Sequence, residues 1–75
     1  MTLRTTEINR EGASPTGQTR TEITFTDSWG DQLEVVFNPK LRRVYMNSDV
    51  ASVSLSEDQM QVLLVESAKF FLEGK

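Results

Sequence analysis

The sequence contains no cysteine and no histidine. Their absence removes disulfide cross-links, zinc sites of the Cys/His kind, and any mechanism resting on imidazole or thiolate chemistry. No glycine-rich phosphate loop and no serine-nucleophile motif is found either. A surplus of positive charge is missing as well: 8 basic residues stand against 11 acidic ones, a net charge of −3. That balance argues against general binding to nucleic acid or membrane surfaces, which needs a positive field, while leaving room for a local basic patch. No apolar run approaches the roughly 20 residues of a membrane span. Met1-Thr2-Leu3-Arg4 leads into polar residues rather than an apolar signal segment, so a cytoplasmic location is expected. Seventy-five residues make one small domain whose core supplies little net stability. With disulfides and metals excluded, association with another copy is the favoured remaining means of support.

What is present divides at about residue 19. Residues 1–19 are mostly Thr, Arg, Glu, Ser and Gly, with Leu3 and Ile8 on opposite parities. They form either a weak edge strand near Leu3–Asn9 or a flexible arm, followed by a loop over Gly12–Gly17. Residues 20–75 carry the pattern of a single domain. Thr21, Ile23 and Phe25 alternate with polar neighbours, as do Leu33, Val35 and Phe37, and then Val44 and Met46. This is the period of half-buried strands. Ser28-Trp29-Gly30 supplies a three-residue turn, and Asn38-Pro39-Lys40-Leu41 a second one.

Pairing Asp27 with Asp31 sets Phe25 opposite Leu33, Ile23 opposite Val35 and Thr21 opposite Phe37. Pairing Phe37 with Arg42 sets Val35 opposite Val44 and Leu33 opposite Met46. Both turns then place Ile23, Phe25, Leu33, Val35, Phe37, Val44 and Met46 on one face, which a one-residue slip would scatter. The same registers put Glu34 beside Tyr45 and Val36 beside Arg43 on the opposite face.

The segment Val50–Leu55 returns the chain to the core, a short strand being one form of that return. Ser56-Glu57-Asp58-Gln59 reads as a capping box, with Leu55 and Met60 placed for a hydrophobic staple. The helix is expected over about Glu57–Leu72, with Gly74 as a stop. Met60, Leu63, Leu64, Ala68 and Phe71 form the stripe expected to cover the sheet. Val62, Val65 and Leu72 fall off that stripe and Phe70 at its margin. The fold class is therefore α+β: an antiparallel three- to four-stranded meander packed against one C-terminal helix.

No residue group supports catalysis, and no cofactor or metal is expected. Asp27 and Asp31 flank a tight turn, where a turn-forming role outweighs cation binding. Two surfaces remain. The off-stripe residues Val62, Val65, Phe70 and Leu72 offer a protein interface suited to a partner or a second copy, by helix pairing or by sheet continuation. Trp29, at a hairpin tip, either adds to such an interface or folds back over the sheet edge. Lys40, Arg42, Arg43 and Tyr45 form a locally basic hairpin that combines charge with a stacking surface, a pattern open to nucleic acid.

The run Ser52-Val53-Ser54-Leu55-Ser56-Glu57-Asp58-Gln59-Met60-Gln61-Val62-Leu63 resembles the end of PC4-like single-stranded nucleic-acid-binding domains. Those domains lead a curved antiparallel meander into a similar helix start and dimerise through that helix. The resemblance covers about the last twenty-five residues and the strand order. It implies nucleic-acid contacts at Arg43 and Tyr45. The family favours a basic, aromatic sheet, whereas this chain places Glu22 and Glu34 on the corresponding strands. The sequence favours a small, non-enzymatic protein-interaction or regulatory module, homodimeric, with single-stranded nucleic-acid binding as the alternative.

Overall fold

The computed structural model describes residues 3–11 and 20–73, the side chain of residue 73 excepted. Four strands, β1 (Thr5–Arg10), β2 (Thr21–Thr26), β3 (Gln32–Asn38) and β4 (Arg43–Ser48), precede one helix, α1 (Glu57–Glu73). The strands form one antiparallel sheet in the order β1-β2-β3-β4. The expected loop over Gly12–Gly17 and the stop at Gly74 lie outside the described residues. Residues 5–10 form a true edge strand, although every one of them is exposed.

The β2–β3 turn closes as its composition dictates. Asp27 N–H donates to the Asp31 carbonyl at 2.9 Å and Gly30 N–H to the Asp27 carbonyl at 3.1 Å. Gly30 takes φ 87°, the left-handed conformation this three-residue link requires. The resulting pairs are Phe25 with Leu33, Ile23 with Val35 and Thr21 with Phe37.

The β3–β4 register differs from expectation by two residues. Phe37 faces Val44, Val35 faces Met46 and Leu33 faces Ser48, so the loop between Asn38 and Arg43 holds four residues. Two features widen it. The Asn38 side-chain oxygen accepts from Leu41 N–H at 3.1 Å, and Arg42 adopts φ 53°. A slip of two conserves parity, so the seven expected apolar residues still share one face. On the other face the neighbours change: Val36 sits opposite Tyr45 and Glu34 opposite Asn47.

The helix lies across that apolar face. Ile23, Phe25, Val35, Phe37 and Phe70 form the buried cluster, with Leu33, Leu55, Val62 and Leu63 packed against it. Phe70 meets Phe37 with ring centroids 5.5 Å apart in a tilted arrangement. Val50–Leu55 makes no strand; it crosses as bends and irregular chain and delivers Leu55 to the core. Met60 is exposed, so Leu55 serves the core instead of stapling to it.

The helix is turned by about one residue, roughly 100°, from the expected stripe. Its buried row is Gln59, Val62, Leu63, Glu66 and Phe70, whereas Met60, Leu64, Ala68 and Phe71 are exposed. Val62 and Phe70, expected on the outer face, are therefore core residues. Two polar side chains set this rotation, because the sheet side holds partners for both.

Candidate interaction surface

At the helix N-terminus the capping box forms in full. Ser56 Oγ accepts from Gln59 N–H at 3.2 Å, and Gln59 Oε1 accepts from Ser56 N–H at 3.0 Å. Gln59 does more than cap. Its Nε2 donates to the carbonyls of Thr5 at 2.9 Å and Thr26 at 3.2 Å, tying the helix to β1 and β2 together. Arg4 adds bonds to the Ser54 carbonyl and hydroxyl, both at 2.9 Å, and one to Gln59 Oε1 at 3.3 Å.

At the other end of β1 the Arg10 guanidinium is ion-paired and hydrogen-bonded to the buried Glu66 carboxylate. Beyond its ladder with β2, β1 is tied to the helix by polar groups at both ends.

Asp27 has a structural role. One carboxylate oxygen accepts from Trp29 N–H at 2.9 Å and Asp31 N–H at 3.0 Å; the other accepts from Ser54 N–H at 3.4 Å. Burial opposes ionisation of this carboxyl, but the N–H groups of Asp31, Trp29 and Ser54, aided by the Arg4 charge, outweigh it. Its pKa is held below the ordinary carboxylate value. A folded pKa below the unfolded one gives stability that is complete above the unfolded pKa and is lost as pH falls through the folded pKa. Asp27→Asn is accordingly expected to flatten the acid limb of stability below about pH 4, read from urea midpoints across pH. An unchanged acid limb would remove Asp27 from that role. Among the described residues no group of three or more Asp, Glu, His or Cys is placed to hold a metal ion.

The hairpin cations separate. Arg42 lies over the Phe70 ring, 4.2 Å from its centroid, and donates to the Phe70 carbonyl at 3.2 Å. The last helical turn has no basic residue of its own, so Arg42 supplies positive charge to the helix C-terminus from another element. Lys40, Arg43 and Tyr45 remain exposed. By strand alternation Arg43 and Tyr45 share the outer sheet face with Glu22 and Glu34. A shallow polar hollow of about 370 Å³ on that face is lined by Thr24, Gln32, Glu34, Asn47, Ser48 and Asp49.

The apolar surface is concentrated on the helix side. Leu64, Val65, Phe71 and Leu72 are between 53% and 68% exposed. On β4, Val44 and Met46 point to the same sheet face as the core but stay 36% and 60% exposed. Arg10–Glu66 and Phe37–Phe70 contacts centre the helix between β1 and β3, leaving β4 uncovered. A shallow groove of about 340 Å³ runs on the β1 side, bounded by Ile8, Val62 and Val65. Trp29 is 78% exposed at the β2–β3 turn. That turn adjoins the helix N-terminus through Thr26 and Gln59, so Trp29 and Leu72 stand at opposite ends of the helix.

No family model, curated protein or solved structure matches the chain.

Sequence reasoning located Val65 and Leu72 on the surface, left Trp29 open between an interface and a fold-back over the sheet edge, and missed Leu64, Phe71 and Met60, which it assigned to the core. It also missed Arg4, Arg10 and Glu66. The only sequence signal for this polar group was the capping box, which marked Gln59. Among the described residues no helix is long and apolar enough to cross a membrane.

Proposed function

We propose that the chain is a non-enzymatic, cytoplasmic protein-interaction module that acts as a homodimer. The observation supporting this is the apolar outer side of α1. From Val62 to Leu72 only Glu66, Ser67 and Lys69 are polar, and Glu66 is directed inward and buried. A helix that is apolar nearly all round belongs in an interior. In a domain without disulfides a second chain supplies that interior.

Leu64→Glu is the test. It places a charge at the centre of this surface, on a residue outside the core cluster. Sedimentation at high micromolar concentration should give about twice the 8.5 kDa chain mass for the parent and the single-chain mass for the variant. A monomeric parent would refute the reading.

A second reading, single-stranded nucleic-acid binding of the PC4-like type, has exposed Tyr45 beside Arg43, with Lys40 in the adjoining turn, in its favour. Weighing against it are the engagement of Arg42 with Phe70 and the carboxylates of Glu22 and Glu34 on the same face. Titration with oligo-dT at about 50 mM salt is expected to be flat, because too few free cations are present to release counterions. Micromolar, steeply salt-dependent binding would reverse this ranking.

A further inference from the structure

On the side of α1 away from β1, Met60, Leu64 and Phe71 are exposed and Ser67 is half-buried. Met60, Leu64, Ser67 and Phe71 follow one another at four, three and four residues. This is the spacing of a coiled-coil seam, with a small residue where two backbones must approach. The row lies about 100° from the buried face at 100° per residue, so it overhangs β4. The strand beneath is one that the helix leaves open.

The dimensions agree with that placement. Strands lie about 4.8 Å apart, so β4 is roughly 10 Å from β2, above which α1 sits. Packed helices stand about 8–10 Å apart. A helix laid beside α1 along this seam would therefore rest directly above β4, on Val44 and Met46.

We infer that the occupant of this slot is the helix of a second copy, lying parallel to the first, so that each helix roofs the β4 of its partner. The inference rests on the homodimer reading of the preceding section. Each chain carries both halves of the contact: one vacant strip of sheet and one helix with surplus apolar surface. A two-fold axis running along the helices satisfies both at once, with the two sheets outside and the two helices as the inner layer. Residues of the seam then meet their own counterparts across the axis. Leu64, on the side of α1 away from its own sheet, turns toward the partner strand.

Area favours this arrangement over joining the two sheets edge to edge. Met60, Leu64, Phe71, Val44 and Met46 leave on the order of 500 Å² of apolar surface per chain, judged from their fractional exposure. Two copies would bury roughly 1,000 Å², about what a specific interface must clear, before any polar rim is counted. Joining two sheets edge to edge through β4 would instead hold the helices about 24 Å apart. The seam and the strip between them would stay wet.

The chain has no cysteine, so single-cysteine variants report the geometry without background. Ser67→Cys, Tyr45→Cys and Val65→Cys are to be prepared in the full chain, oxidised mildly at high micromolar concentration and run without reductant, beside sedimentation of the parent. Ser67→Cys should give a disulfide-linked dimer as the main species, since facing seam positions lie within disulfide reach. Val65→Cys, on the β1 side, and Tyr45→Cys, on the outer sheet face, should remain single chains. A dimeric parent whose Tyr45→Cys or Val65→Cys form cross-links while Ser67→Cys does not would overturn the parallel arrangement and leave self-association standing. A parent that sediments as a monomer would remove both.

Discussion

Replacing Gln59 with glutamate should destabilise the domain by about 3 kcal/mol near neutral pH, although glutamate suits the third position of a capping box. The new carboxylate would still accept from Ser56 N–H. It would lose the two donors now given to the Thr5 and Thr26 carbonyls and would place a negative charge against both oxygens in a site that is 4% exposed. Arg4, 3.3 Å from Oε1, offsets part of this. Gln59→Ala should cost less, about 2 kcal/mol, since it removes bonds without burying a charge. The sign with pH is diagnostic. A glutamate held among carbonyls has a raised folded pKa, so protonation restores a donor, and the deficit relative to the parent at the same pH should narrow as pH falls. Urea unfolding of parent and variant at pH 7 and pH 4.5 measures it. A variant equal to the parent at both pH values would show that Gln59 serves only as a cap.

Arg10 and Glu66 should respond unequally to removal. Their side chains are 46% and 6% exposed. Among the described residues, Arg10→Met leaves the buried carboxylate with Lys69 at 3.9 Å as its remaining cation, and a loss of about 2–4 kcal/mol is expected. Glu66→Met leaves a guanidinium that already reaches water, and apolar volume fills the helix–sheet junction. A loss under about 1 kcal/mol is expected there. Denaturant midpoints with matched slopes decide the matter. Equal losses would mean that the pair is worth its mutual attraction and little else.

These contacts mark where sequence reasoning succeeds and where it stops. The β2–β3 register was legible because Asp27-Ser28-Trp29-Gly30-Asp31 specifies its own turn, glycine conformation included. The β3–β4 register was legible only modulo two. Alternation decides which face a residue takes, and Val44 and Met46 keep their face under either register. The loop length depended on a left-handed Arg42, which composition does not announce and which the Phe70 ring and carbonyl reward.

The helix rotation was hidden for a different reason. Apolar periodicity treats Gln59 and Glu66 as solvent-facing, yet their partners include Arg4, Thr5 and Arg10, more than fifty residues away in the chain. Only the folded arrangement brings them into range. Assigning those two residues inward displaced Met60, Leu64 and Phe71 outward, and that displacement created the surface on which the functional reading rests.

The manner in which β1 is attached also shapes how the molecule comes apart. Its side chains contribute no fully buried apolar group, and its hold on the helix depends on charged and hydrogen-bonding termini. The ties at Arg4 and Arg10 carry charge at partly exposed guanidinium groups, and these weaken in concentrated electrolyte more than the Phe25–Phe37–Phe70 interior does. The first strand is thus a detachable hem on a sturdier three-stranded cloth. Its loosening would bare the free edge of β2, and amide protons along Thr5–Arg10 would be the earliest to trade with solvent.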